Sequence, residues 1–219
     1  MLNRTYLFKL FPILFLWIGL FSGFLPIYIH KNGGDSLFWG IYLIIQISLW
    51  IGLGIFLKRI YVLIYKDELT KLWNRRYLYV RLGDEIKKLK KKGGLSLAIV
   101  DIDNFKSIND AHGHLFGDKV LTKIANTLQG HLRKNDIIAR WGGEEFIIVL
   151  PETDAKGTKA VLERTRKVVE ENDFGCRITI SGGIAFTKAY METNNLIEMA
   201  DKALYKAKRT KNLIAVYKE

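Results

Sequence analysis

The hydrophobic pattern divides the chain in two. From Tyr6 to Ile29 almost every position is apolar, Lys9 being the early exception, and from Ser36 to Leu57 no charged residue occurs. Each run matches or exceeds the ~20 apolar residues a helix needs to cross ~30 Å of hydrocarbon. His30 to Asp35 is a short polar connector containing Gly33 and Gly34. The pattern predicts a transmembrane helical hairpin over 1–57, with spans at about 6–29 and 36–57. Phe24-Leu25-Pro26-Ile27-Tyr28 offers no small-residue cleavage site of the kind that ends a signal peptide. Gly19 and Gly23 form a small-xxx-small pair, which lets helices approach closely. Leu53, Leu57, Ile60 and Ile64 follow heptad spacing and predict a linker helix over 58–66 that continues the second span.

After residue 66 the pattern becomes that of a globular domain, 67–219. Leu78, Leu82, Ile86 and Leu89 mark one face of a helix from Tyr77 to Lys92, stopped by a lysine run and Gly93-Gly94. Leu95 to Val100 is a continuous apolar strand. Val120, Leu121, Ile124, Ala125 and Leu128 predict a helix from Val120 to Leu132. Ile137–Trp141 and Phe146–Leu150 flank Gly142-Gly143 and predict a hairpin with a primed turn, in which both turn residues need φ > 0. A helix from Ala155 to Asn172, a strand from Arg177 to Phe186, a helix from Asn195 to Lys208 and a strand from Leu213 to Tyr217 follow. This succession of helices and strands predicts an α+β fold, an antiparallel-rich sheet covered by helices.

Charge adds orientation. The 219 residues carry a net charge of +12. Arg4 and Lys9 precede the first span, Lys58, Arg59 and Lys66 follow the second, and the connector has Lys31 offset by Asp35. Basic flanks stay on the cytoplasmic side, so both termini are expected there. Cys176 is alone, which excludes an internal disulfide and fits a reducing compartment. The basic balance favours anionic partners such as nucleotides and lipid head groups. A nucleic-acid reader is not expected, because no basic strand face carries interleaved aromatic residues.

The candidate chemistry lies between Asp101 and Phe146. The Leu95 strand runs into Asp101-Ile102-Asp103, and the hairpin returns through Glu144-Glu145. If these strands are neighbours, the carboxylates converge at one sheet edge. Clustered carboxylates repel and resist burial, and a hard divalent cation relieves both costs. Mg²⁺ with a nucleotide, and phosphoryl transfer, is the chemistry this pattern suggests. No Gly-x-x-x-x-Gly-Lys loop is present, so a P-loop is excluded.

Four ordered blocks resemble the GGDEF family of diguanylate cyclases, here in its Gly-Gly-Glu-Glu-Phe form. They are Asp67-Glu68-Leu69-Thr70-Lys71-Leu72-Trp73-Asn74-Arg75-Arg76, the Asp101–Asp118 segment, Arg140-Trp141-Gly142-Gly143-Glu144-Glu145-Phe146, and Ala200 to Lys208. The resemblance implies the ferredoxin-like palm of nucleotide cyclases and condensation of two GTP to cyclic di-GMP with release of two pyrophosphates. It implies Mg²⁺, replaceable by Mn²⁺, held by Asp101, the Ile102 carbonyl and a signature glutamate, Glu144 or Glu145. The same pair supplies the base for the ribose 3′-hydroxyl. Backbone N–H groups at Asn104 and Phe105, with Lys106, Lys208 and Lys211, are implied for the phosphates. Asn109 and Asp118 are implied to read guanine, with His114 beside the nucleotide. Arg133 and Asp136 form an Arg-x-x-Asp motif that marks an inhibitory product site, and Arg164 is a further contact there. The resemblance also implies an active homodimer in the bacterial inner membrane. Two departures stand out. Lys71 replaces the usual Gly of the lead-in motif, and Lys208-Arg209-Thr210-Lys211-Asn212 is one residue short. His112 stands where an aromatic residue is usual. A catalytically weak receptor for cyclic di-GMP is the rival, and the intact Glu144–Glu145 pair argues against it.

Overall fold

The computed structural model describes residues 19, 23, 36–89 and 93–218. Two compact units emerge, Met1–Ile60 and Tyr61–Glu219, so the globular unit starts a little before the expected residue 67. Helix α1 is continuous over Ser36–Tyr65, as the heptad spacing predicts. Its Gly40–Tyr65 stretch is long and apolar enough to cross a membrane. Leu37, Ile44, Leu49 and Leu63 are all more than half exposed. Water penalises an apolar helix surface of this extent, and hydrocarbon does not. The expected first span and connector lie outside the described residues, Gly19 and Gly23 apart. Both are helical, and a Cβ added at Gly19 would stand 4.0 Å from the Trp50 ring, an ordinary contact.

The second unit is built on one six-stranded sheet. Its strands are β1 (Trp73–Asn74), β2 (Leu95–Ile102), β3 (Ile137–Gly142), β4 (Glu145–Pro151), β5 (Ile180–Thr187) and β6 (Ile214–Val216). The order is β1-β3-β4-β2-β5-β6. The inner four strands pair antiparallel, whereas β1 and β6 join the edges in parallel, which makes the sheet mixed. β1 is too short to show any alternation of side chains, so the sequence pattern does not reveal it. The helices are α2 (Arg75–Lys88), α3 (Phe105–His112), α4 (His114–Gly130), α5 (Ala155–Glu171) and α6 (Thr193–Thr210). Asn74 caps α2 by accepting from Tyr77 N (3.1 Å), and its amide also donates to Ile64 O (2.8 Å). Asp154 caps α5 through Gly157 N (2.7 Å). Residues 90–92 of the expected lysine-rich helix end lie outside the described residues.

Alternation along β2 sorts the helices onto two faces. Ala98, Val100 and Ile102 pack with α3, α4 and α5, while Leu95, Leu97 and Ile99 pack with α2 and α6. By the same alternation Asp101 faces α6. Glu145 joins it there, because Ile147 and Val149 of β4 belong to that core. Gly183 lets α6 sit close: a Cβ there would collide with Leu204 N and Ala200 O.

Three expectations are corrected. Neither Gly142 nor Gly143 has positive φ. The hairpin turns instead through Gly143 and Glu144, with a register shift between Arg140 and Gly142 that supplies the bend a primed turn would have given. Residues 177–179 are not strand, because Thr179 turns its carbonyl and hydroxyl to Asp103 (2.9 and 2.8 Å). The helix expected from Val120 begins at His114, where Gly113 (φ 83) separates it from α3.

Candidate active site

Antiparallel pairing of β2 with β4 places Asp101 opposite Glu145, and Ile102 N donates to Glu144 O (3.4 Å). The carboxylates that the sequence separates by more than forty positions thus meet at one strand end. Lys208 of α6 reaches into the same place. Its ammonium pairs with Asp101 Oδ1, donates to the Ile102 carbonyl (3.2 Å) and lies 3.3 Å from Asp103 Oδ1. Burial pushes the Asp101 carboxyl up to about 6. Lys208 opposes that shift, and the charges of Glu144 and Glu145 add to it. Glu145 is also raised, by burial first and then by Asp201 and Glu144.

Asp103 follows Asp101 and has a different role. It is 2 % exposed and accepts from Ser181 Oγ (2.7 Å), Thr179 Oγ1 (2.8 Å) and Asn212 N (2.9 Å). Burial opposes its ionisation. The bonds from Asn212, Ser181 and Thr179, with Lys208 nearby, outweigh that and hold its carboxyl below the usual carboxylate range. Asp103 is therefore the fastener of this strand end rather than an open ligand. The shortened turn after α6 is built on it. Lys211 (φ 61) and Asn212 (φ 48) both adopt the left-handed region without being glycine. The Asn212 side chain bridges Arg166 (2.6 Å) and Glu170 (2.8 Å) of α5, and Lys211 Nζ reaches Asn104 Oδ1 (2.5 Å). Lys208 and Lys211, two of the three lysines expected at the phosphates, thus stand over the end of β2 despite the missing residue.

Asn104 (φ 56) opens α3, whose first turn has no side-chain cap. Phe105 anchors that turn in the core, and Lys106 is exposed beside it. Uncapped N–H groups at a helix start suit a phosphate. Asn109 Oδ1 is buried without a hydrogen-bond partner, against Gly117 of α4. An unpaired buried amide oxygen is costly and awaits a donor. Asp118 and His114, both exposed, belong to the same helix pair. His112 packs against Phe116 with the rings tilted (4.7 Å between centroids).

Among the described residues, no three His, Cys, Asp or Glu side chains are arranged as a metal cluster. The donor set that does converge is Asp101, the Ile102 carbonyl and Glu145, with Glu144 in the turn. These are hard oxygen donors, and burial makes their joint ionisation unfavourable. They fit Mg²⁺, which takes one or two carboxylates and leaves its other positions to phosphate and water.

Two contacts were not legible in the sequence. Asp67 accepts from Thr70 N and Oγ1 (2.8 and 2.7 Å) and pairs with Arg140 (3.3 Å), while Arg140 donates to Gly143 O (2.7 Å). The lead-in motif is thereby tied to the signature turn. The Arg133–Asp136 loop closes on itself, Asp136 accepting from Arg133 N (2.8 Å). Beside it lies a cleft of about 730 Å³ whose far wall is α2, with Arg81, Glu85 and Lys88. Arg164 is not in that wall; it donates to His131 O (3.2 Å) at the end of α4. No local spacing links α2 to this loop, so only the folded chain brings them together.

Comparison with known proteins agrees with this architecture. The profile of the family described as "Diguanylate cyclase, GGDEF domain" matches residues 64–213. Diguanylate cyclase DgcP of Pseudomonas aeruginosa is 45 % identical over 149 residues, which is 65 % of this chain and 22 % of that protein. Diguanylate cyclase DosC of Escherichia coli is 39 % identical over 160 residues, 69 % of this chain and 35 % of its own length. The chain thus spans only about a fifth to a third of these relatives. Among solved structures, the coiled coil and GGDEF domain of Caulobacter crescentus DgcB, in complex with c-di-GMP, superposes with a TM-score of 0.76. It has 28 % identity and covers 83 % of this chain and all of that one. The active GGEEF domain of a Vibrio cholerae diguanylate cyclase gives 0.63 at 33 % identity, covering 67 % of this chain and 97 % of that one.

Proposed function

Because the chain belongs to the GGDEF family of diguanylate cyclases, we propose that it is a membrane-anchored enzyme that condenses two GTP into cyclic di-GMP and two pyrophosphates. The observation that carries this reading is the meeting of Asp101, the Ile102 carbonyl and Glu145 at one strand end, beneath Lys208. Asn109 and Asp118 hold the guanine, the unpaired Asn109 amide oxygen accepting from it. The first-turn N–H groups of α3, with Lys106, Lys208 and Lys211, hold the triphosphate. Asp101, the Ile102 carbonyl and Glu144 or Glu145 would hold Mg²⁺, or Mn²⁺ in its place, which would supply charge neutralisation at the phosphates and polarisation of the phosphorus under attack. Glu144 or Glu145 accepts the proton of the ribose 3′-hydroxyl, and burial, which pushes the Glu145 pKa above the ordinary glutamate value, makes that carboxylate the better base. The hydroxyl oxygen attacks the α-phosphorus of a second GTP, and pyrophosphate leaves in line. Each domain offers one such site, so two copies face each other and the reaction repeats in the opposite sense.

α1 and the run at 6–29 anchor the protein in the bacterial inner membrane, with both termini and the catalytic unit in the cytoplasm. The likeness to a Caulobacter structure containing a coiled coil supports a helical lead-in. The cleft beside Arg133 and Asp136 supports product inhibition there. The test is formation of cyclic di-GMP from GTP and Mg²⁺ by the detergent-solubilised full chain, beside Glu145→Ala. Product from the parent alone is expected. A dimeric, Mg²⁺-supplied parent that makes none would sink the reading. If such a protein still bound cyclic di-GMP through Arg133, it would be a receptor.

A further inference from the structure

We propose that Lys208 is an exchangeable cation at the catalytic strand end, which must leave Asp101 and the Ile102 carbonyl before a divalent metal can bind there. This rests on the metal-site reading above and adds to it a competitor built into the chain.

The geometry is specific. Lys208 Nζ pairs with Asp101 Oδ1 and donates to the Ile102 carbonyl at 3.2 Å. Those are the two β2 oxygens best placed to hold a metal. Mg²⁺ sits ~2.1 Å from each oxygen it binds, so a metal bridging this pair would fall on top of the ammonium. Both cations seek the same hard oxygens, and like charges do not share them. The backbone cannot resolve the conflict. α6 is pinned by Ala200, Ala203, Leu204 and Ala207, all buried, the last of them adjoining Lys208. Only the side chain can move. It has room to do so, being 28 % exposed, and a resting place, since Asp103 Oδ1 lies 3.3 Å away. Asp103 keeps its other three donors throughout. The lysine therefore swings away from Asp101 while staying over Asp103, and from there its ammonium faces an incoming triphosphate. Metal alone binds against Lys208; metal arriving with phosphate binds with its help.

The test is Mn²⁺ binding to the detergent-solubilised full chain without nucleotide, followed by the electron paramagnetic resonance signal of free Mn²⁺. Asp101→Asn is expected to abolish the site. Lys208→Met is expected to bind Mn²⁺ about tenfold more tightly than the parent, since the competing charge is gone. Lys208→Arg, which keeps a cation on Asp101, should bind no more tightly than the parent. Lys206→Met removes an equal charge from an exposed position of α6 that points elsewhere, and should change affinity by less than about twofold. Lys208→Gln repeats the neutral substitution with a side chain that can still hydrogen-bond Asp101, should the methionine variant fold poorly. If Asp101→Asn abolishes binding but neither neutral variant exceeds Lys206→Met, Lys208 is no competitor and the inference falls alone. If Asp101→Asn leaves Mn²⁺ binding as in the parent, the metal-site reading falls and takes the inference with it.

Discussion

Asp101 and Asp103 leave the same end of β2 on the same face, yet one is poorly satisfied and the other fully so. Asp103 is enclosed, accepts from two hydroxyls and a peptide N–H, and is held below the usual carboxylate range. Asp101 faces two more carboxylates, has the Lys208 ammonium as its partner, and is pushed up to about 6 by burial. The difference separates fastening from function. A carboxylate with every lone pair engaged locks backbone to backbone and has nothing left for a ligand. A carboxylate short of partners costs stability and is ready for a cation.

Substitutions should break this contrast unequally. Asp103→Ala leaves Lys208, Ser181, Thr179 and Asn212 without their shared acceptor, and is expected to lower stability by about 3–5 kcal/mol in urea unfolding. Asp101→Ala under the same metal-free conditions should cost far less, since it removes a crowded carboxylate. A similar loss in both variants would erase the distinction between the two carboxylates. In activity the order reverses. Asp101→Asn should keep its melting temperature and lose at least about a hundredfold in cyclic di-GMP formation, as expected for a metal ligand. Wild-type turnover by Asp101→Asn would remove it from the site.

A smaller effect lies in the turn that serves Asp103. Asn212→Ala keeps the N–H to Asp103 but loses the bridge to Arg166 and Glu170 in a left-handed conformation, and should cost about 1–2 kcal/mol. Asn212→Gly loses the same bridge without the strain and should cost less. Equal melting temperatures for the two would show that the positive φ carries no penalty.

The smallest effect is in pH dependence. Asp101 and Glu145 are raised, so their neutral forms favour the folded state. The Asp101 contribution is present below the ordinary carboxylate range and is lost as pH rises through about 6, and that of Glu145 is lost as pH rises past its ordinary range. Asp67 and Asp103 are depressed. Their contribution is present above that range and is lost only at lower pH. With EDTA present, the melting temperature should therefore fall between pH ~5 and ~7. Added Mg²⁺ should flatten the fall, and Asp101→Asn should reduce it. A melting temperature that rises steadily across that window would contradict the assignment.

Reading the residues in order went far where the signal was periodic or clustered. The long helix Ser36–Tyr65, the buried β2 strand and the returning β4 strand follow from apolar runs of defined length. Asp101 and Glu145 were legible because each ends such a run. Asp103 was ambiguous, because alternation gives the face of a side chain but not what waits there. For Arg164 the helix was legible, but helix position alone does not say that its guanidinium reaches the His131 carbonyl.

The chain's own pattern thus determined most of the strands and helices, which of them suit a membrane, and which residue types could carry phosphoryl chemistry. These are local properties, set by periodicity, run length and the donors each side chain owns. Tertiary structure decided the rest. It joined the edge strands in parallel, tied Asp67 through Arg140 to the signature turn, and set Arg81 and Lys88 across from Arg133. It also brought Lys208, more than a hundred residues downstream, onto Asp101. Such contacts depend on sheet order and on how closely α6 can approach at Gly183, and neither property is written in any one stretch of sequence.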